Sequence, residues 1–267
     1  MILQSLGYRT ELIFPNFDGE VIDRGPYLVV KTHSNPNYFW GNLLIFRNAP
    51  QKGDVRSWPN LFKKEFPDPR IYHMTFGWSP SSPSGEDPSE FLAAGFRLEK
   101  STVLTTQEVH HPKKHHPYVK VKPVESDEDF ERSIQIQIAC GGSELSKQQW
   151  DGFYRLQMDR YRQMIVKGYG LWFGAYLEEE LVGGLGIFTD RNVGRFQIVS
   201  THPDYQRKGV CGALVYQSAQ YAFKSMGVES LVMIADEAYH AAKIYESVGF
   251  KPTEKLTGLC WWDKERN

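Results

Sequence analysis

The sequence predicts an α/β chain: a central, twisted mixed β-sheet flanked by helices, preceded by a second and degenerate copy of the same architecture. Three observations lead there. Val199 to Met226 reads as a β-branched run, a Pro-Asp turn, a basic glycine-rich loop and a helix. From Tyr118 onward the strand and helix patterns follow in the order βααβββαβαββ. The succession strand, loop, helix, strand, helix, Gly-Phe, strand that closes this run also occurs between Tyr38 and Thr106.

At 267 residues the chain is long enough for two domains, and the expected division is 1–106, a linker at 107–117, and 118–267. A formal charge of −1 supplies no global field for nucleic acid or an anionic membrane, so neither is an expected partner and any anion site must be local. Cys140, Cys211 and Cys260 are odd in number and far apart, which argues against a disulfide framework or a zinc site. Ile13 to Asp18 interrupts the opening stretch, and no apolar run approaches the ~20 residues of a membrane span. A cytoplasmic protein is expected.

In the N-terminal part, Tyr38–Phe46 reads as a strand, Asp54–Phe66 as a helix, Ile71–Trp78 as a strand and Ser89–Ala94 as a helix before Gly95-Phe96. Arg97–Thr106 closes the set as a strand. Gln107 to Pro117 has no period and two prolines, so it reads as a linker. Its four histidines, His110, His111, His115 and His116, form adjacent pairs without a Cys or carboxylate between them, which favours a linker over a metal site.

Tyr118–Val124 then alternates as a strand, and Ser126 with Asp129 three residues on caps a helix to about Ala139. A second helix spans Ser146 to Val166, with Trp150, Phe153, Tyr154, Met158, Tyr161 and Ile165 at three- and four-residue spacing. Leu171–Leu177 and Leu181–Phe188 form a hairpin around Glu178-Glu179-Glu180. The strand Arg195–Thr201, the loop and the helix Val210–Met226 follow, with Gly227 as C-cap. Leu231–Ala235 is a short buried strand, Ala238–Val248 a helix, and strand-like segments run through Trp262.

The loop Gln206-Arg207-Lys208-Gly209-Val210-Cys211-Gly212-Ala213 has the make-up of a phosphate cradle. A strand ending in a glycine-rich turn that opens a helix aims free backbone N–H groups and the positive end of the helix dipole at one spot. Gln206, Arg207 and Lys208 add donors and charge, and Gly209 and Gly212 permit close approach. Neither G-x-x-x-x-G-K-[ST] nor G-x-G-x-x-G is present, which leaves a nucleotide-phosphate enzyme as the weakest alternative.

The segment resembles the acyl-CoA loop of the GNAT superfamily of N-acetyltransferases, [Q/R]-x-x-G-x-[G/A], departing from it at Cys211. Ala241 to Phe250 resembles that family's A-x-x-[LI]-Y-x-x-x-G-F ending, with Ala238 standing where Asn is frequent. The resemblance covers 118–267 and implies the GNAT fold. The N-terminal copy is similar to the degenerate domain of tandem GNAT proteins. Aligning its Gly-Phe pair sets Phe91 against Tyr245, and Asn48 to Gly53 stands in for the loop with one glycine and a proline.

The resemblance implies acetyl-CoA as cosubstrate, no metal, and transfer of the acetyl group to a small primary amine by direct attack in a ternary complex. Val199, Ser200 and Thr201 would hold the pantetheine arm through backbone groups, because this strand is expected to splay from Leu231–Ala235. Gln206 through Ala213 would hold the pyrophosphate. A thiolate with pKa near 8.5 leaves, so Tyr245, whose ordinary pKa is near 10, is the expected general acid. The general base is open: Gln197 cannot accept a proton at neutral pH, and Asp236, Glu237, His202 and His240 read as solvated turn residues. An acyl-CoA-binding regulatory module without catalysis is the alternative.

Overall fold

The computed structural model describes residues 3–79, 85–142, 146–237 and 241–263. The chain divides into two compact units that are not contiguous in sequence. The first runs to Val103 and takes in the C-terminal strand from Glu254, whereas the sequence reading assigns that strand to the second domain. The second comprises Leu104–Ala235 and the stretch ending at Thr253. No helix among the described residues is long and apolar enough to cross a membrane.

The first unit opens with two short helices, α1 (Leu6–Glu11) and α2 (Pro15–Asp18), and the edge strand β1 (Glu20–Asp23). β2 (Tyr27–Lys31), β3 (Leu43–Phe46), α3 (Trp58–Glu65), β4 (His73–Trp78), α4 (Ser89–Ala93) and the first part of β5 (Arg97–Thr106) follow. β1, β2 and β3 pair antiparallel, and β3 pairs parallel with β4. The last strand of the chain, β11 (Lys251–Trp262), lies antiparallel on β4 with Cys260 opposite Thr75. It is a single strand where the sequence pattern suggested two. An aromatic core fills the helix-facing side: Phe46 stacks on Trp58 with centroids 3.7 Å apart, and Phe76 and Phe91 are fully buried beside them.

The second unit contains β6 (Lys120–Pro123), α5 (Asp127–Cys140), α6 (Lys147–Val166), β7 (Gly170–Leu177), β8 (Glu180–Asp190), β9 (Val193–Thr201), α7 (Val210–Ser225), β10 (Ser230–Asp236) and α8 (Ala241–Val248). Its strands lie in the order β10-β9-β8-β7-β6, with only the β9–β10 pair parallel. Ser126 caps α5 by accepting a hydrogen bond from Asp129 N at 3.1 Å, and Ser146 and Gln149 form a capping box at the start of α6. The N-terminal end of α8 around Ala238 and His240 lies outside the described residues.

Period-two alternation divides the sheet faces. Phe173, Leu185, Ile187 and Phe196 point toward α7 and α8, where they share a core with Val210, Leu214, Ala219 and Phe250. Trp172, Phe188, Gly184 and Gly186 face the other way, toward α5 and α6: Trp172 Nε1 donates to Ser133 Oγ at 3.2 Å, and Tyr161 stacks on Trp172 at 5.7 Å.

The repeat is visible in backbone bonding. Gly249 N donates to Glu246 O and Phe250 N to Tyr245 O, at 3.0 and 3.2 Å. Gly95 N donates to Leu92 O and Phe96 N to Phe91 O, at 3.1 and 3.0 Å. Both glycines have positive φ, 118° and 87°, the conformation that ends each helix and starts the next strand.

Candidate functional site

Three features of the second unit converge at the C-terminal end of β9. The first is a gap between strands. The parallel register runs Ser230↔Val193, Leu231↔Gly194 and Val232↔Arg195, after which β9 continues to Thr201 and β10 to Asp236. Val199, Ser200 and Thr201 therefore lie on a stretch of β9 that extends past its paired register with β10. A bulge marks the divergence: pairing with β8 shifts between Gly184↔Ser200 and Gly186↔Gln197, and Ile198 sits at φ 43°. A β-branched residue rarely adopts the left-handed region, so the surrounding pairing imposes this conformation.

The first unit gives the contrast. There the parallel pairing continues to the strand ends, Phe46↔Trp78, and Ser79 N adds a bond to Phe46 O at 3.2 Å. Among the described residues no comparable divergence follows.

The second feature is the loop. His202 Nδ1 accepts a hydrogen bond from Asp204 N at 3.3 Å and ties the short turn Pro203–Tyr205. Gln206 then reaches back, donating from Nε2 to Thr201 O at 3.2 Å. Arg207 and Gly209 both have positive φ, 60° and 85°, which makes the peptide path concave before α7 begins. Val210, Cys211 and Gly212 occupy the first turn, where backbone N–H groups have no intrahelical acceptor. Val210, Gly212 and Ala213 are buried.

The glycines have a second task that the sequence did not disclose. Segment 107–117 packs across α7 and α8 rather than tethering freely. His116 N donates to Gly209 O at 3.3 Å and His110 N to Val248 O at 3.0 Å. A Cβ on Gly209 would lie 2.6 Å from the backbone carbon of His115, and one on Gly212 would lie 3.0 Å from Lys114 O. The close approach that was expected from a phosphate is made on this side by the chain itself. His111 also packs its ring on Tyr216 at 5.0 Å.

The third feature is Tyr245. It lies on α8, 6% exposed, within the core that α7 and α8 build on the sheet. Burial, with Cys211 nearby, pushes its hydroxyl well above the ordinary tyrosine value. Burial likewise pushes the Cys211 thiol up to about 12. Both stay protonated at neutral pH. In the first unit Phe91 occupies the matching place after the same helix-ending bond, so that copy has no hydroxyl there.

The first unit's loop is also occupied from within. Gln51 N donates to Asp54 Oδ2 and Gly53 N to Glu90 Oε2, both at 2.8 Å. Carboxylates thus take the backbone donors that an anionic ligand would need.

Of the carboxylates considered as bases, Glu237 is held by Lys255 and by Thr102 Oγ1, and the lysine draws its pKa down. Asp236 is exposed at the end of β10, and His240 lies outside the described residues. Sequence reading missed Cys140, whose Sγ donates to Thr201 O at 3.2 Å. It also missed Tyr154, which burial next to Cys140 pushes up to about 12. The signal was their position on the α5 and α6 stripes.

Comparison with known proteins gives this arrangement a family. Residues 142–250 match the acetyltransferase (GNAT) family model. A functionally unknown conserved protein from Staphylococcus epidermidis is similar over 92% of this chain and 95% of that chain, with TM-score 0.71 and 15% identity. A GCN5-related N-acetyltransferase from Kribbella flavida is similar over 96% of each chain, with TM-score 0.64 and 13% identity. A tandem GNAT protein from the clavulanic acid biosynthesis pathway is similar over 80% of this chain and 71% of that one, with TM-score 0.51 and 12% identity. At these identities the likeness concerns the fold, and no curated relative matches in sequence. Residues 142–250 thus form an acetyltransferase (GNAT) family domain, on a fold that this chain shares with a tandem GNAT protein.

Proposed function

We propose that the second unit transfers an acetyl group from acetyl-CoA to a small primary amine by direct attack in a ternary complex. The observation that carries this reading is the divergence of β9 from β10 after Val232↔Arg195, in the same unit as the loop and Tyr245. A gap between parallel strands offers backbone groups to an extended amide-bearing arm such as pantetheine, as β-augmentation does elsewhere. Val199, Ser200 and Thr201 supply those groups. The first-turn N–H groups of α7 and the charges of Arg207 and Lys208 suit a pyrophosphate, and Gln206, Gly209, Val210, Cys211, Gly212 and Ala213 complete that cradle.

In the reaction, the neutral amine attacks the thioester carbonyl carbon, the C–S bond breaks, and the sulfur leaves with its electron pair. Tyr245 holds a proton throughout the neutral range and gives it, or a hydrogen bond, to that sulfur. Burial that raises the tyrosine also disfavours a bare thiolate, so the proton is wanted where the tyrosine can deliver it. The amine proton leaves to solvent through water, since Glu237 is engaged with Lys255. The first unit, with its strands paired to their ends and its loop donors bound by Asp54 and Glu90, takes no CoA and has a structural role.

The test is to incubate the protein with acetyl-CoA and a panel of primary amines and follow free thiol. Turnover that falls in Tyr245→Phe supports the reading. Tight acetyl-CoA binding with no turnover on any amine would instead make the chain an acyl-CoA-binding regulatory module.

A further inference from the structure

A layer of buried amides lies between α5, α6 and the bulged part of β9. Gln137 is 1% exposed, Gln157 2% and Gln197 9%. Among the described residues, Gln137 Nε2, Gln157 Oε1 and Gln197 Nε2 have no hydrogen-bond partner. One such atom in a fold is ordinary, but buried polar groups are nearly always paired, and three amides in one layer call for a partner.

Their placement follows from their neighbours. Trp172, Gly186 and Gln197 form one cross-strand row, so Gln197 shares the sheet face of Trp172, which faces Ser133 of α5 and Tyr161 of α6. On α5, Gln137 falls between Ser133, which lies over Trp172, and Cys140, which bonds Thr201. On α6, Gln157 falls between Tyr161, which lies on Trp172 and Phe188, and Tyr154, which sits by Cys140. The three amides therefore lie on one side of the sheet, in the layer between α5, α6 and the stretch of β9 beside its bulge. Among the described residues of this unit no carboxylate is buried, and the buried guanidiniums of Arg160 and Arg195 have interactions of their own.

We infer that this layer recognises the acetyl acceptor, and that the acceptor carries beside its amine a neutral group that both donates and accepts hydrogen bonds, a carboxamide or a hydroxyl. The inference rests on the acetyltransferase reading. An ammonium only donates and would face two amide NH₂ donors. A carboxylate only accepts and would face the Gln157 carbonyl oxygen. A carboxamide satisfies all three, its oxygen taking the two NH₂ groups and its own NH₂ bonding Gln157 Oε1.

The experiment compares four acceptors that share one amine and one spacer: β-alaninamide, aminopropanol, diaminopropane and β-alanine. The amide and the alcohol are expected to exceed the other two in kcat/KM by about tenfold or more, as a site built to pair both donor and acceptor rejects analogues lacking one. Gln157→Met and Gln197→Met are near-isosteric and apolar; they should bring the amide and the diamine within about threefold of each other and leave KM for acetyl-CoA unchanged. A readout independent of the variants is thermal protection of the wild-type protein by β-alaninamide in the presence of CoA. Preference for diaminopropane or β-alanine, an unchanged ranking in both variants, or no turnover of any of the four despite acetyl-CoA binding overturns the inference. Amides that merely hold buried water give that unchanged ranking. Failure of acetyl-CoA to bind at all overturns the acetyltransferase reading itself, so the two failures are distinct.

Discussion

The backbone N–H of His116 donates to the carbonyl oxygen of Gly209 at 3.3 Å, and this bond joins a stretch without regular structure to the cap of the longest helix on its sheet face. Gly209 is thereby constrained twice, by φ 85° and by the His115 backbone 2.6 Å from where a Cβ would stand. Gly209→Ala is expected to lower stability by about 1–3 kcal/mol, the usual range for forcing a side chain into the left-handed region. Gly152, exposed in the middle of α6 with open space around it, is the control: Gly152→Ala should gain about 0.5–1 kcal/mol. Urea unfolding of the two variants measures both, and a Gly209→Ala protein as stable as wild type would remove the packing role of segment 107–117.

Tyr245→Phe should lower kcat by about ten- to a hundredfold, within the range of a single proton-transfer group, and leave KM for acetyl-CoA unchanged. The hydroxyl is deep in an apolar core, so stability is expected to stay the same or rise. Steady-state kinetics beside a thermal melt separate the two roles. Loss of stability with kcat retained would make Tyr245 a packing residue.

Acetyl-CoA should bind with a stoichiometry of one per chain despite the duplicated architecture. The carboxylates Asp54 and Glu90 already hold Gln51 N and Gly53 N, and β3 stays paired with β4 to Trp78. Calorimetric titration counts the sites. Removing the loop charges with Arg207→Ala and Lys208→Ala should weaken that one site, while Glu90→Gln should leave binding as it is; a second equivalent bound would contradict the assignment of the first unit as structural.

Much of this was legible in the residues because local signals and the fold agree. Ser126 caps the helix it was expected to cap, the second helix starts at Ser146 as its spacing indicated, the acidic turn joins β7 to β8, and the two Gly-Phe pairs end their helices with matching bonds. The opening of the first unit was not read: α1 and α2 are too short to show a period, and β1 is an exposed edge. Nor could periodicity show that Gly209 and Gly212 face the chain's own backbone, since a glycine that admits a ligand and one that admits a neighbour look alike in sequence. Gln137 and Gln157 did leave a trace, being polar residues at positions where the stripes of Ile134 and Ile138, and of Met158 and Tyr161, point inward.

The first unit carries a pH dependence of its own through His73. Its ring is buried, stacked on Phe39 at 4.2 Å, with Nε2 donating to Asn42 O at 3.1 Å and, among the described residues, no partner on Nδ1. Burial draws its pKa from 6.5 down to about 4, against the weaker upward pull of the Asn42 carbonyl. The unfolded chain therefore takes up a proton that the folded chain excludes between those values. Stability is full above pH 6.5, falls as the pH drops from there to about 4, and loses up to about 3 kcal/mol over that window. His73→Gln keeps a donor for Asn42 O and removes the titration. Urea midpoints followed from neutral pH to about pH 5 should fall more steeply for the wild-type protein than for His73→Gln, by about 2 kcal/mol at the acid end. Parallel curves would show that the acid sensitivity comes from other groups.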